Sequence, residues 1–172
     1  MAVPTLSITR TAPTTADAEL LVLGVHKTAD GPQLASDDPA FASIGAALVA
    51  IGATGAMDEV RRLPPPGDGV PIALIGLGAP PLTPDTLRLA AGSAARQLTG
   101  IERLAVALPI ASSADAAAVL EGAGSGAYAY TGYRVGSLGT TKTPADDIVV
   151  HLPDDVDADN FRHCSQPINR CF

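Results

Sequence analysis

An α/β fold, with a mixed, mostly parallel sheet flanked by helices, is what this chain of 172 residues predicts. Three observations carry that expectation. Short, wholly apolar runs recur along the chain, as in strands buried on both faces. Several are followed by segments whose apolar residues, mostly alanine, repeat at three- and four-residue steps, as on one face of a helix. Aromatic residues make up only 3% of the chain and Trp is absent, so the core must be aliphatic and its helices can pack closely. Strands alternating with such helices imply layers of helix on a sheet.

Taken in order, residues 3–9 alternate, with Leu6 and Ile8 on one face, as an edge or half-buried strand does. Residues 9–18 are turn material, and 19–25 (ELLVLGV) form a continuous apolar strand. Asp38 is placed to cap a helix with Pro39 at its first position. Phe41, Ile44, Leu48 and Ile51 then mark one buried face. An irregular connection comes next, with a short strand over 57–63 and a firm break over the proline-rich 64–69.

The segment 71–96 is the most informative. Residues 72–77 read as a buried strand and Gly76-Leu77-Gly78 as a turn, with Thr83 as N-cap, Pro84 at the first helical position and Asp85 at the positive helix end. Leu87, Ala90, Ala91, Ala94, Ala95 and Leu98 form the inner stripe, and Gly100 ends the helix. Residues 104–108 form another strand, stopped by Pro109. Ser112 and Asp115 match a capping box, and Ala116, Val119, Leu120, Ala123 and Ala127 continue as a helical stripe. Gly122, Gly124 and Gly126 weaken that helix, each by about 1 kcal/mol relative to alanine. Residues 148–152 form the last strand. From Asp154 onward no period is discernible, so the expectation is a domain over 1–153 and a poorly packed tail or truncated linker over 154–172.

Composition bounds the function. The length suits one domain, and 47% apolar against 17% charged residues describes a chain that folds. A net charge of −7 argues against a phosphate-backbone binder, so nucleic acid is not an expected partner. No apolar run approaches the roughly 18 residues that span a membrane. The N-terminus lacks a secretory signal, and both cysteines, Cys164 and Cys171, fall in the last nine residues. A cytoplasmic protein is expected.

The motifs offer little chemistry. A dinucleotide fingerprint after the 72–77 strand would need a third glycine where Pro81 stands, and an acid ending the next strand, which instead ends in Leu108-Pro109. An anion could sit at the Thr83 helix start, but Pro80, Pro81 and Pro84 remove three amide donors there. Ser125 lies in a glycine-rich run that comes after a helical pattern rather than a strand, so it is not a nucleophile elbow. His26, His151 and His163 form no paired metal motif, and Cys164 and Cys171 lack zinc-site spacing. No catalytic, cofactor-binding or metal residue is therefore assigned.

One likeness remains. Residues 73–78 (ALIGLG) and then 87–96 (LRLAAGSAAR) resemble the N-terminal domain of the cytosol (leucyl) aminopeptidase family. The match extends to residues 119–122, to Gly126, Tyr128, Tyr130, Tyr133 and Arg134, and to the turn at 53–56, covering roughly 20–152. The resemblance implies a macro-domain-like α/β fold preceding a larger catalytic domain. It further implies two divalent metals, zinc or manganese, in that catalytic domain, and a homohexamer in the parent. The catalytic signature Asn-Thr-Asp-Ala-Glu-Gly-Arg-Leu is absent here, and the chain closes on NFRHCSQPINRCF instead of the family's onward helix. The expected function is thus a non-catalytic N-terminal domain, inactive alone, contributing to assembly and access. A second reading is a macro-like module binding ADP-ribose or a related nucleotide. A third is a truncated reading frame without activity.

Overall fold

The computed structural model describes residues 4–15, 17–65, 69–128 and 142–157. Among the described residues seven strands form one sheet: β1 (Thr5–Thr9), β2 (Leu20–Thr28), β3 (Gly31–Leu34), β4 (Val60–Leu63), β5 (Ile72–Gly78), β6 (Arg103–Ala107) and β7 (Asp147–His151). The spatial order is β1-β7-β6-β2-β5-β4, with β3 paired to β2. The first five of these run parallel, and β4 is antiparallel on the edge beside β5. This is the mixed, mostly parallel, helix-flanked sheet that the sequence predicts.

The opposite faces of the sheet carry different helices. The shorter one, α1 (Ala42–Ala47), comes after a 3-10 turn at Pro39–Phe41 that Asp38 caps through the Ala40 amide. Phe41, Ile44 and Leu48 bury against Leu21, Leu23, Val25, Ile72 and Leu74. This helix is shorter than the apolar stripe implies, since the chain turns at 48–52 and Ile51 is only partly buried.

Two longer helices, α2 (Pro84–Gln97) and α3 (Ser113–Gly126), cover the other face. Both start as their caps require. Thr83 Oγ1 accepts from the Thr86 amide at 3.2 Å, and Ser112 Oγ accepts from the Asp115 amide at 3.2 Å. The Asp115 carboxylate reaches back to the Ala111 amide rather than to Ser112's own. Beneath the helices, Val22, Ile75, Leu104, Val106, Ile148 and Val150 meet the stripe of Leu87, Ala90, Ala91, Ala94, Ala116, Val119 and Ala123. Each such Leu, Ile or Val, buried fully, contributes about 1.5–3 kcal/mol.

The alanine stripe lets the helices lie close to the sheet, and glycines bring them close to each other. A Cβ at Gly122 would lie 2.9 Å from the Arg88 carbonyl carbon, and one at Gly126 would lie 2.7 Å from Gly92 Cα. These two residues, which weaken α3 by propensity, are therefore the surface by which it packs on α2.

Three further departures matter. Strand β2 runs three residues beyond its apolar core, and β3, which no sequence signal marks, pairs with that extension. Strand β6 accompanies β2 only as far as Leu23 opposite Ala107, and β3 takes over at Val25 opposite Leu34. The 57–63 strand is confined to Val60–Leu63, because Met57 and Asp58 form a turn and Asp58 has a positive φ of 67°. The start of the tail is not loose. Val156 is 4% exposed and belongs to the main core. Arg10 donates to the carbonyls of Pro153 (2.9 Å), Asp154 (2.7 Å) and Val156 (2.8 Å), fixing that segment. His163, Cys164 and Cys171, like Tyr130, Tyr133 and Arg134 of the family likeness, lie outside the described residues.

Candidate functional site

The carboxyl ends of parallel strands are where open α/β sheets bind ligands, because neighbouring chains leave the sheet there and open a crevice. This sheet has two such places. One is the β5–α2 junction with its Gly76-Leu77-Gly78 turn; the other lies where β1, β6 and β7 end.

The first is closed by the protein itself. The Gly78 amide donates to the Gly55 carbonyl at 2.9 Å, and the Gly76 amide to the Glu59 carbonyl at 2.9 Å. The segment 53–59 thus lies directly against β5. A Cβ on Gly76 would lie 2.7 Å from the Ala56 carbonyl carbon, so glycine is required for this close approach. Further bonds pin the segment. Asp58 Oδ1 accepts from Ser93 Oγ, from Arg96 at 3.0 Å and from Gln97 at 3.1 Å. The Glu59 carboxylate accepts from the Thr54 hydroxyl (2.7 Å) and amide (2.9 Å) and from Arg61 Nε (3.0 Å). Burial pushes Glu59 up, but the bonds from Thr54 and Arg61 together outweigh it and hold the carboxyl below its ordinary range. The glycines of this turn serve chain packing against the 53–59 segment.

The second place is open. Because β6 stops at Ala107 while β3 begins its pairing only at Val25, the sheet has a gap between β6 and the segment leaving β3. The Ala35 amide closes β3 onto the Gly24 carbonyl at 2.8 Å, setting Ser36 over that gap. A cleft of about 290 Å³ results. Ala107, Leu108 and Leu152 give it apolar surface, and Arg10, Ser36 and Asp154 give it polar groups. His151, at the end of β7, lines it while being only 6% exposed. Its Nδ1 lies 2.9 Å from the Thr11 carbonyl. A carbonyl only accepts, so Nδ1 carries a proton and donates it to Thr11. Nε2 is buried and has no hydrogen-bond partner among the described residues. Arg10 and Asp154 take part in no ion pair among those residues either.

The other sequence candidates separate. Ser125 sits on the exposed side of the last turn of α3. His26 ends the shared part of β2 and β5, with a buried Nδ1 lacking a partner among the described residues. Among those residues no three His, Cys, Asp or Glu side chains come together to hold a metal, and no helix is long and apolar enough to cross a membrane.

Against known proteins, the profile of the "cytosol aminopeptidase family, N-terminal domain" matches residues 22–137. The chain is 40% identical over 160 residues to a probable cytosol aminopeptidase of Leifsonia xyli, covering 92% of this chain and 32% of that protein. It is 46% identical over 143 residues to a probable cytosol aminopeptidase of Streptomyces griseus, covering 76% and 28% respectively. It spans about a third of the length of these relatives. Among solved structures it is similar to a tomato leucine aminopeptidase mutant, with a TM-score of 0.64 at 17% identity over 88% of this chain and 34% of that one. The bottromycin maturation enzyme BotP gives a TM-score of 0.59 at 22% identity, over 86% of this chain and 29% of that one. At these identities the structures speak to the fold.

Proposed function

Since the chain belongs to the cytosol aminopeptidase family, as its N-terminal domain, we propose that it is the non-catalytic partner of a metal-dependent catalytic domain that removes residues from the N-termini of peptides. The observation that carries this reading is the extent of the match. It fills most of this chain, yet only about a third of each relative, and it falls on the family's N-terminal domain. In this reading the two divalent metals, zinc or manganese, belong to the catalytic domain. The described residues here do not fit such a centre, and none of its chemistry is assigned to them. The domain's contribution is to assembly, as part of a homo-oligomer, and to controlling access to the catalytic centre. The compartment proposed is the cytoplasm.

The test is a mixing experiment. The catalytic part of the Leifsonia xyli relative, expressed without its own N-terminal domain, is assayed with Mn²⁺ or Zn²⁺ on leucine p-nitroanilide, with and without this chain. No turnover is expected from this chain alone, and a complex with the catalytic part is expected on size exclusion. Metal-dependent hydrolysis by the chain alone, or failure to associate, contradicts the reading.

A further inference from the structure

The cleft at the ends of β1, β6 and β7 has a chemistry that the assembly role does not use. From it we propose that this cleft binds a free α-amino acid, the product class of the aminopeptidase reading on which this choice of ligand rests. Charge is the first determinant. Arg10 and Asp154 both line the cleft, and no ion pair among the described residues neutralises either. They stay apart although Arg10 Nη1 holds the Asp154 backbone carbonyl at 2.7 Å. One cation, held by three backbone carbonyls, and one anion in a single small cleft are complementary to a zwitterion. The α-carboxylate faces Arg10, which favours planar anions, and the α-ammonium faces Asp154.

Size and polarity narrow the ligand further. A volume of about 290 Å³ lies just below the span of roughly 300–1,000 Å³ typical of drug-sized ligands. That suits an amino acid and is tight for a dinucleotide. Leu108, Leu152 and Ala107 offer surface to an aliphatic side chain. His151, whose Nδ1 is held by the Thr11 carbonyl, also lines the cleft.

Occupancy has a route to the rest of the molecule. Arg10 clamps residues 153, 154 and 156, where the chain leaves the sheet after β7. A carboxylate drawing on the same guanidinium reports the presence of product to that exit.

The experiment is calorimetry on the full 172-residue chain at low ionic strength, titrating L-leucine, L-leucinamide, 4-methylpentanoate and ADP-ribose to about 10 mM, which detects binding down to the millimolar range. The expected result is that leucine binds, while leucinamide, lacking the carboxylate, and 4-methylpentanoate, lacking the ammonium, each bind at least about tenfold more weakly. Asp154→Asn, at an exposed position whose backbone contact is retained, is expected to weaken leucine about tenfold without changing the melting temperature. Absence of leucine binding, equal binding of leucinamide, an unaffected Asp154→Asn chain, or binding of ADP-ribose in preference to leucine overturns the proposal. No turnover is involved. A failure here alongside a positive mixing experiment therefore removes the cleft assignment and leaves the aminopeptidase reading in place.

Discussion

The two carboxyl-end openings of this sheet differ in whether another part of the chain fills them. After β5 the chain turns through Gly76-Leu77-Gly78, and the segment 53–59 has already been laid across the opening. It is held there by backbone bonds to Gly76 and Gly78 and by the Asp58 bonds to α2. After β6 and β7 no such segment is in place among the described residues, and a cleft remains. A glycine-rich strand–helix turn is thus not itself evidence of a ligand. Glycine allows close approach, and here the approaching group is the protein's own backbone.

Substituting the closed junction should have the largest effect. Gly76→Ala places a Cβ against the Ala56 carbonyl, an overlap that neither backbone can relieve. A loss of about 3 kcal/mol or more in urea unfolding is expected. A loss below about 0.5 kcal/mol would mean the 53–59 segment yields, and that the opening is not firmly closed.

At the open cleft the same kind of test should be milder. Arg10→Met keeps the aliphatic stem but removes three hydrogen bonds to carbonyls of the exit segment. Hydrogen bonds to charged groups contribute roughly 1.5–3 kcal/mol when buried, and this side chain is exposed, so a loss of about 1–2 kcal/mol is expected overall. Faster amide exchange at residues 154–156, with β5 and α2 unchanged, would localise it.

The smallest effect returns to the closed side. Glu59 titrates below its ordinary range in the folded chain. A carboxyl depressed on folding adds stability that is complete above its unfolded value and is lost as pH falls through the folded one. The unaltered chain should therefore lose stability in acid more steeply than Glu59→Gln, measured by melting temperature against pH. Parallel curves would show that the Thr54 and Arg61 bonds do not stabilise the charged form.

This asymmetry was only half legible in the sequence. The strands 20–25, 72–77 and 104–108, the caps at Thr83 and Ser112, and the alanine stripes announce themselves, because period and capping chemistry are local. At the closed junction Pro81 and the missing acid argued against a dinucleotide, but nothing in the sequence marked 53–59 as the segment that covers it. The open cleft was not legible. It depends on β3, whose GPQL has neither alternation nor a β-branched residue, and on β6 ending before β2 does. It also joins residues 10, 36, 107 and 151–154, which only the strand order brings together. Gly122 and Gly126 show a related limit. Propensity counts them against α3, whereas the neighbouring helix makes them its contact surface.

The most direct test tracks amide resonances of the ¹⁵N-labelled chain during an L-leucine titration. Shifts are expected to cluster at residues 10–12, 35–36, 107–108, 151–152 and 154, with residues 55–59 and 76–78 unmoved. Shifts centred on 55–59 and 76–78 instead, or none at either opening, would contradict the contrast between an open cleft and a closed junction.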